Sequence, residues 1–272
     1  MNAADTAALA RRLLAAFDEG TTLAPIGASH PGFDVAAAYD VLREIERMRV
    51  ARGWRPVGRK IGFTNRTLWP RYGVDRPMWA HVWAETVIDA PEGQATLSLD
   101  RTTEPRIEPE VVFGLRGPVT ATDDARIVLD AVSWIAPGFE MVQSQFPGWK
   151  FSTADCTAAF GLHRALVVGP RVALADADRD RLAAALPVFE ATLRRGSDVI
   201  ERGVGANVLD SPALALGHLA RVLDGQPAMP RLAAGEIVTT GTLTDAWPVG
   251  PGETWSSDYG ALGIPGIALR FT

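Results

Sequence analysis

Glu108 and Glu110 stand two residues apart in the segment 106–113 (RIEPEVVF), whose neighbours are mostly apolar. In an extended chain that spacing puts both carboxylates on one face. Glu140 is the single charge in another apolar run, 134–142 (WIAPGFEMV). Carboxylates crowded on a buried face repel one another unless a cation lies between them. Three carboxylates with no histidine or thiol beside them select a hard divalent ion, Mg2+ or Mn2+. A solvated strand face with two glutamates has the same spacing, so the pair alone leaves both readings open.

Lys60 lies between glycines and apolar residues in 58–63 (GRKIGF). Near a metal its charge would bind an acidic substrate, or its pKa could fall enough for proton transfer. An exposed lysine at a strand end is the competing reading. Ser152, Thr153, Asp155 and Thr157 are polar residues in the apolar frame of 148–161. They either line a site or form a helix cap and its first turn. In 239–242 (TTGT), a glycine after a strand lets backbone N–H groups approach a carboxylate, although a simple turn has the same composition.

Other chemistries lack support. There is no P-loop, no GxGxxG after a strand and no G-x-S-x-G elbow. His30, His81, His163 and His218 show no HExxH spacing. Cys156 adjoins Asp155, which would raise its pKa, so it makes a poor nucleophile.

The elements that must position these groups follow from composition and pattern. Hydrophobic residues make up 47% and charged residues 22%, which excludes a mostly disordered chain and allows a core without disulfide staples. Net charge is −5 with no basic stripe, so no nucleic-acid partner is expected. The single cysteine fits a reducing compartment. Residues 1–20 mix acidic and basic groups where a signal peptide needs an apolar stretch, and no run of 18 apolar residues occurs. A cytoplasmic protein without a membrane segment is expected.

Leu9, Leu13 and Phe17 repeat at helical spacing. Asp34 can cap a helix running to about Val50, which Gly53 ends. Ser211, Pro212 and Gly225 bracket another helix, and 122–131 is a further candidate. Strands are expected at 87–88, 107–115, 134–142, 165–169, 188–194, 198–201, 236–243 and 266–271, with a hairpin turn at 195–197. Residues 64–84, with Trp69, Trp79, Trp83 and two prolines, read as a loop closing over something. Few helices separate the strands, which argues for an α+β fold and against a doubly wound sheet. We expect one catalytic domain, 1–272, with an N-terminal helical part (1–56) and a metal-binding β-rich core (57–272).

The order GRKIGFT (58–64), YGVDRP (72–77), RIEPEVVF (106–113), GFE (138–140), TADCTAAFG (153–161), TGTLT (240–244) and LGIPGIALRF (262–271) resembles the 2-keto-4-pentenoate hydratase / 4-oxalocrotonate decarboxylase family. That family belongs to the fumarylacetoacetate hydrolase superfamily, and the resemblance spans about residues 8–272. It implies a mixed β-roll core and Mg2+ or Mn2+ on Glu108, Glu110 and Glu140. Lys60 falls on the family's lysine motif and Asp75 on its G-V-D-x-P aspartate. The implied activity is a hydratase converting a 2-hydroxy-2,4-dienoate or 2-oxo-4-enoate to a 4-hydroxy-2-oxoacid. Lys60 would be the electrostatic or acid–base group, and Asp75 and Asp155 would position water or a proton. Gly62, Phe63, Ser152, Thr240 and Gly241 would meet the substrate. The alternative is a 4-oxalocrotonate-type decarboxylase, with Arg66, Arg71 or Arg76 on the distal carboxylate. A third reading, a non-catalytic subunit beside an active hydratase or decarboxylase, is disfavoured by the retained glutamates and lysine. A homo-oligomer is expected.

Overall fold

A computed structural model describes residues 2–272. Fourteen strands carry the fold: β1 (Pro56–Gly62), β2 (Met78–Trp83), β3 (Val87–Asp89), β4 (Gln94–Leu97), β5 (Arg106–Leu115), β6 (Val132–Val142), β7 (His163–Val168), β8 (Val172–Ala173), β9 (Glu190–Arg195), β10 (Asp198–Val204), β11 (Ile237–Thr242), β12 (Trp247–Pro248), β13 (Thr254–Asp258) and β14 (Ile267–Phe271). Nine form a curled sheet in the order β2-β1-β11-β5-β6-β7-β3, with β12 on β5 and β8 on β6. The other five form a second sheet, β10-β9-β13-β14-β4.

Strand alternation sorts the side chains of the curled sheet. On β5, Ile107, Val111 and Phe113 join the large core that also holds Leu13, Ile45 and Leu216 from the helices. The even-numbered residues face the other way. There Glu108 pairs with Glu140 across β5–β6, Glu110 with Gly138 and Val112 with Ala136. Val82, Val112, Ala136, Leu166 and Val168 form a separate dry cluster on this inner face. Charged and apolar residues thus share one inward stripe, the carboxylates at one end and the plug at the other. Gly58 lets β1 lie against β11, because a Cβ there would sit 1.8 Å from the Ile237 carbonyl oxygen.

Helices α1 (Ala3–Glu19) and α2 (Val35–Ala51) start at Asn2 and Asp34, whose side chains accept from Asp5 and Ala37 N–H groups. Gly20 ends α1 in the left-handed conformation that glycine tolerates. The short helices α3 (Trp69–Tyr72), α4 (Ala125–Leu129), α5 (Thr153–Ala158) and α6 (Arg179–Ala185) and the longer α7 (Pro212–Asp224) complete the chain. The α+β architecture with its N-terminal helices agrees with expectation.

Several local expectations need correction. Segment 64–84 is not one loop: it ends in β2, all six residues of which are buried. Trp79 and Trp83 are core residues, stacking with Tyr39 and crossing Trp54. The strand expected from Val188 begins at Glu190, and Val188 is exposed. β4, β8, β12, β13 and α6 were not expected, because each is short and weakly patterned.

Candidate active site

Two strands deliver the three carboxylates to one point, β5 with Glu108 and Glu110 and β6 with Glu140. One oxygen each from Glu108, Glu110 and Glu140 lies within 4.8 Å of the others. Glu110 and Glu140 are fully buried, whereas Glu108 is partly open to a small cavity that it lines with Lys60. Glu110 Oε2 accepts from the Gly241 N–H (2.7 Å) and from the Thr239 hydroxyl. Its Oε1 is buried and has no hydrogen-bond partner among the described residues. Gly241 can donate because β11 bulges there with φ +106°, and Thr64 packs where a side chain would otherwise stand.

Glu140 is gripped from two sides. Its Oε2 lies 3.0 Å from Lys60 Nζ, and its Oε1 lies 2.8 Å from His163 Nδ1. His163 Nε2 in turn sits 2.9 Å from the Thr86 hydroxyl. Lys60 Nζ also donates to the Gly161 carbonyl at 2.9 Å. The lysine is therefore buried and paired, which removes the exposed strand-end reading.

Electrostatics divide the three carboxylates. Burial pushes Glu108 up to about 8, with Lys60 opposing and Glu140 reinforcing. Burial and the neighbouring carboxylates push Glu110 well above the ordinary range. Burial also opposes the charge of Glu140, but Lys60 and His163 outweigh it and hold its pKa low. For Lys60 burial is again outweighed, here by the three carboxylates, and its pKa is raised. The lowered pKa that would make Lys60 a ready base does not arise in this setting. In the metal-free protein it stays an ammonium that donates to Gly161 and faces the carboxylates. Burial pushes the Cys156 thiol up to about 12, in line with an unreactive thiol.

The other expected residues separate into two groups. Gly62, Phe63 and Gly241 line the cavity. Ser152, Asp155, Thr240 and Asp75 do not. Ser152 and Asp155 make a reciprocal capping box on α5, and Asp155 Oδ1 also accepts the Ile26 N–H, so this carboxylate is occupied as a structural tie. The Thr240 hydroxyl donates to the Val111 carbonyl, and its neighbour Thr239 reaches Glu110 instead. Asp75 is exposed and forks onto Arg76.

His163, Asn65 and the aromatic rim of Tyr72, Trp149 and Phe151 were missed. Asn65 is buried at the cavity wall, and Tyr72 and Phe151 stack with ring centroids 5.8 Å apart. The aromatics clustering near the YGVDRP and GWKF stretches were the available signal. His163 gave none, since strand register alone brings it to Glu140.

Known proteins agree with this architecture. Residues 69–265 match the family model for the fumarylacetoacetate (FAA) hydrolase C-terminal region. The chain is 30% identical over 267 residues to 2-hydroxyhexa-2,4-dienoate hydratase of Comamonas testosteroni, covering 96% of both proteins. It is 28% identical over 244 residues to 4-oxalocrotonate decarboxylase of Pseudomonas sp. (strain CF600), covering 89% of this chain and 87% of the relative. In fold it is similar to 4-oxalocrotonate decarboxylase from Pseudomonas putida G7, complexed with magnesium and adipate: TM-score 0.89, 24% identity, 100% of this chain and 99% of that one. The protein belongs to the fumarylacetoacetate hydrolase family, in the group of 2-keto-4-pentenoate hydratases and 4-oxalocrotonate decarboxylases.

Proposed function

We infer that the protein is a metal-dependent lyase of small 2-oxo or 2-hydroxydienoic acids, acting foremost as a hydratase. The observation that carries this is the cluster of three carboxylates facing a lysine ammonium at the closed end of an aromatic-rimmed cavity. The donor set fits a hard divalent cation, Mg2+ or Mn2+: it is all oxygen, and Glu110 Oε1 is buried with no hydrogen-bond partner among the described residues. When bound, such an ion supplies a Lewis acid for the substrate's C1 carboxylate and C2 oxygen. The chain's own groups do the rest. Lys60 places a positive charge where enolate character develops. The Gly241 N–H and Thr239 hydroxyl hold Glu110, and His163 holds Glu140. Phe63, Tyr72 and Phe151 exclude bulk water around the diene.

The deciding experiment is a UV assay of the purified protein with Mg2+ on 2-hydroxypenta-2,4-dienoate and 2-hydroxymuconate, with product identification. A 4-hydroxy-2-oxoacid supports the hydratase, CO2 release the decarboxylase, and no turnover of either defeats the reading. We propose that the protein works in the cytoplasm as a homo-oligomer; light scattering checks the oligomeric state. No helix among the described residues is long and apolar enough to cross a membrane.

Metal binding is expected to release protons near pH 7. Glu108 is raised from 4.5 to about 8 in the folded, metal-free state, chiefly by burial. The folded protein therefore holds a proton that the unfolded chain has lost, and its stability falls as pH rises through that window. A cation on the same oxygens displaces the proton, so affinity should rise with pH up to about 8. Calorimetry in buffers of different ionisation enthalpy reads the release directly. Binding enthalpies independent of buffer would contradict it.

One observation favours the decarboxylase as a second reading. Arg66, Arg71 and Arg76, expected to meet a distal carboxylate, are each paired with an exposed or half-buried aspartate: Asp210, Asp245 and Asp75. Arg106 instead lies on the inner face of β5 with Glu108. It makes no ion pair among the described residues, stacks 4.0 Å from the Trp149 ring and donates to the Tyr72 hydroxyl. A guanidinium beside two rim residues suits a dicarboxylate. Arg106→Leu should lower kcat/KM for 2-hydroxymuconate by about 10- to 100-fold, the value of a charge-assisted contact. The monocarboxylate 2-hydroxypenta-2,4-dienoate should be nearly unaffected. Equal losses on both substrates would remove Arg106 from the distal subsite.

A further inference from the structure

Phe160, Gly161 and Leu162 form a left-handed turn, with φ of 60°, 59° and 64° in succession. Glycine accepts this conformation; phenylalanine and leucine do so only when the surroundings impose it. The turn aims the Gly161 carbonyl at Lys60 Nζ, 2.9 Å away. It also fits the lysine stem closely, since a Cβ on Gly161 would lie 3.0 Å from Lys60 Cδ.

The Phe160 ring is held from behind. Its centroid is 4.9 Å from that of Phe17 and 4.4 Å from the Arg49 guanidinium carbon. The same carbon lies 4.5 Å from the Phe17 ring, 4.4 Å from Trp54 and 5.2 Å from Trp83. Arg49 is 1% exposed, and none of its three guanidinium nitrogens has a hydrogen-bond partner among the described residues. Burial pulls its pKa down to about 9, so it stays cationic at neutral pH. An unbonded buried cation is costly, and ring faces offset only part of that cost. A leucine or methionine would fill the space without the cost. What they would lack is directional attraction for the face of Phe160.

We propose that Arg49 is a positioning residue for Lys60: caged by four aromatic rings, it fixes Phe160 and so holds the left-handed turn whose Gly161 carbonyl seats the ammonium. The cage draws on α1, the end of α2, β2 and the turn itself, so it also ties the N-terminal helices to the site. This rests on the role given to Lys60 above.

The test pairs amide exchange in the metal-free protein with kinetics of the Mg2+-loaded enzyme. Arg49→Met should speed exchange of the 160–162 amides by about tenfold or more while leaving β5 and β6 protected. It should lower kcat by about 10- to 100-fold, as expected for a misplaced catalytic group, with little change in KM. Arg49→Lys, which keeps a cation among the rings, should recover most of both. Should Arg49→Met fail to fold, Phe160→Leu carries the test, because it removes one ring and keeps the cation. Exchange at 160–162 unchanged from wild type would overturn the proposal. So would a lower melting temperature with kcat intact, which marks a purely structural cage. If the wild-type enzyme turns over no dienoate, the functional reading fails, and exchange alone decides whether the cage holds the turn.

Discussion

Glu110→Gln is expected to weaken Mg2+ binding by more than the roughly 10- to 100-fold that loss of an outer-shell partner costs. Glu110 would be a direct ligand, and the substitution removes its charge while keeping its shape. The glutamine oxygen can still accept from Gly241 N–H and the Thr239 hydroxyl, so the β11 bulge has its partners. Near pH 7 the metal-free protein should melt at a higher temperature than wild type, because burial and the neighbouring carboxylates raise the Glu110 pKa, and glutamine avoids the protonation that folding then requires. Weaker metal binding combined with a more stable apo-protein is the signature of a binding site, and a plain structural residue would lower both. Calorimetric titration with Mg2+ and a thermal scan in chelator check the two halves. Unchanged affinity would remove Glu110 from the site.

Lys60→Met should lower kcat by about 100- to 1000-fold, the range for removing one preorganised charge at a developing oxyanion. Metal affinity should not fall, since the substitution removes a positive charge from beside the ligands. Lys60→Arg should rescue little. The larger guanidinium must fit where the Gly161 turn lies close against the lysine stem, and its fork cannot place its charge as the compact ammonium does. Steady-state kinetics with saturating Mg2+ separate the outcomes. A rise in KM alone would make Lys60 an anchor for the substrate carboxylate. No change in either parameter would exclude it from the chemistry.

The gathering of the candidate site's charges was legible because it follows local rules. Glu108 and Glu110 alternate with Ile107, Pro109 and Val111, and period-two alternation in β5 sends both to one face. Lys60 stood out as a charge between glycines in β1. Other errors came from local signals with two meanings. Ser152-x-x-Asp155 is a capping box, and its polar atoms serve the helix instead of the cavity. The tryptophans near Pro70 and Pro77 suggested a lid, yet Trp79, His81 and Trp83 alternate and pack on one side of β2. What remained invisible depends on register or on distant segments. His163 meets Glu140 through β6–β7 pairing, and the Arg49 cage joins four separated stretches of chain.

The apolar plug of Val82, Val112, Ala136, Leu166 and Val168 seals the interior of the curled sheet beyond the carboxylates. With apolar side chains filling that end, the aromatic-lined cavity on the other side serves as the doorway, and traffic through it is sequential. Product must leave before the next substrate enters, and any water consumed must come in past the same aromatic rings. The queue at that doorway can be adjusted at Phe63, Tyr72 or Phe151 without disturbing a carboxylate oxygen. Substrate reach and turnover can therefore be retuned from the rim, while the sealed end keeps its carboxylates in place.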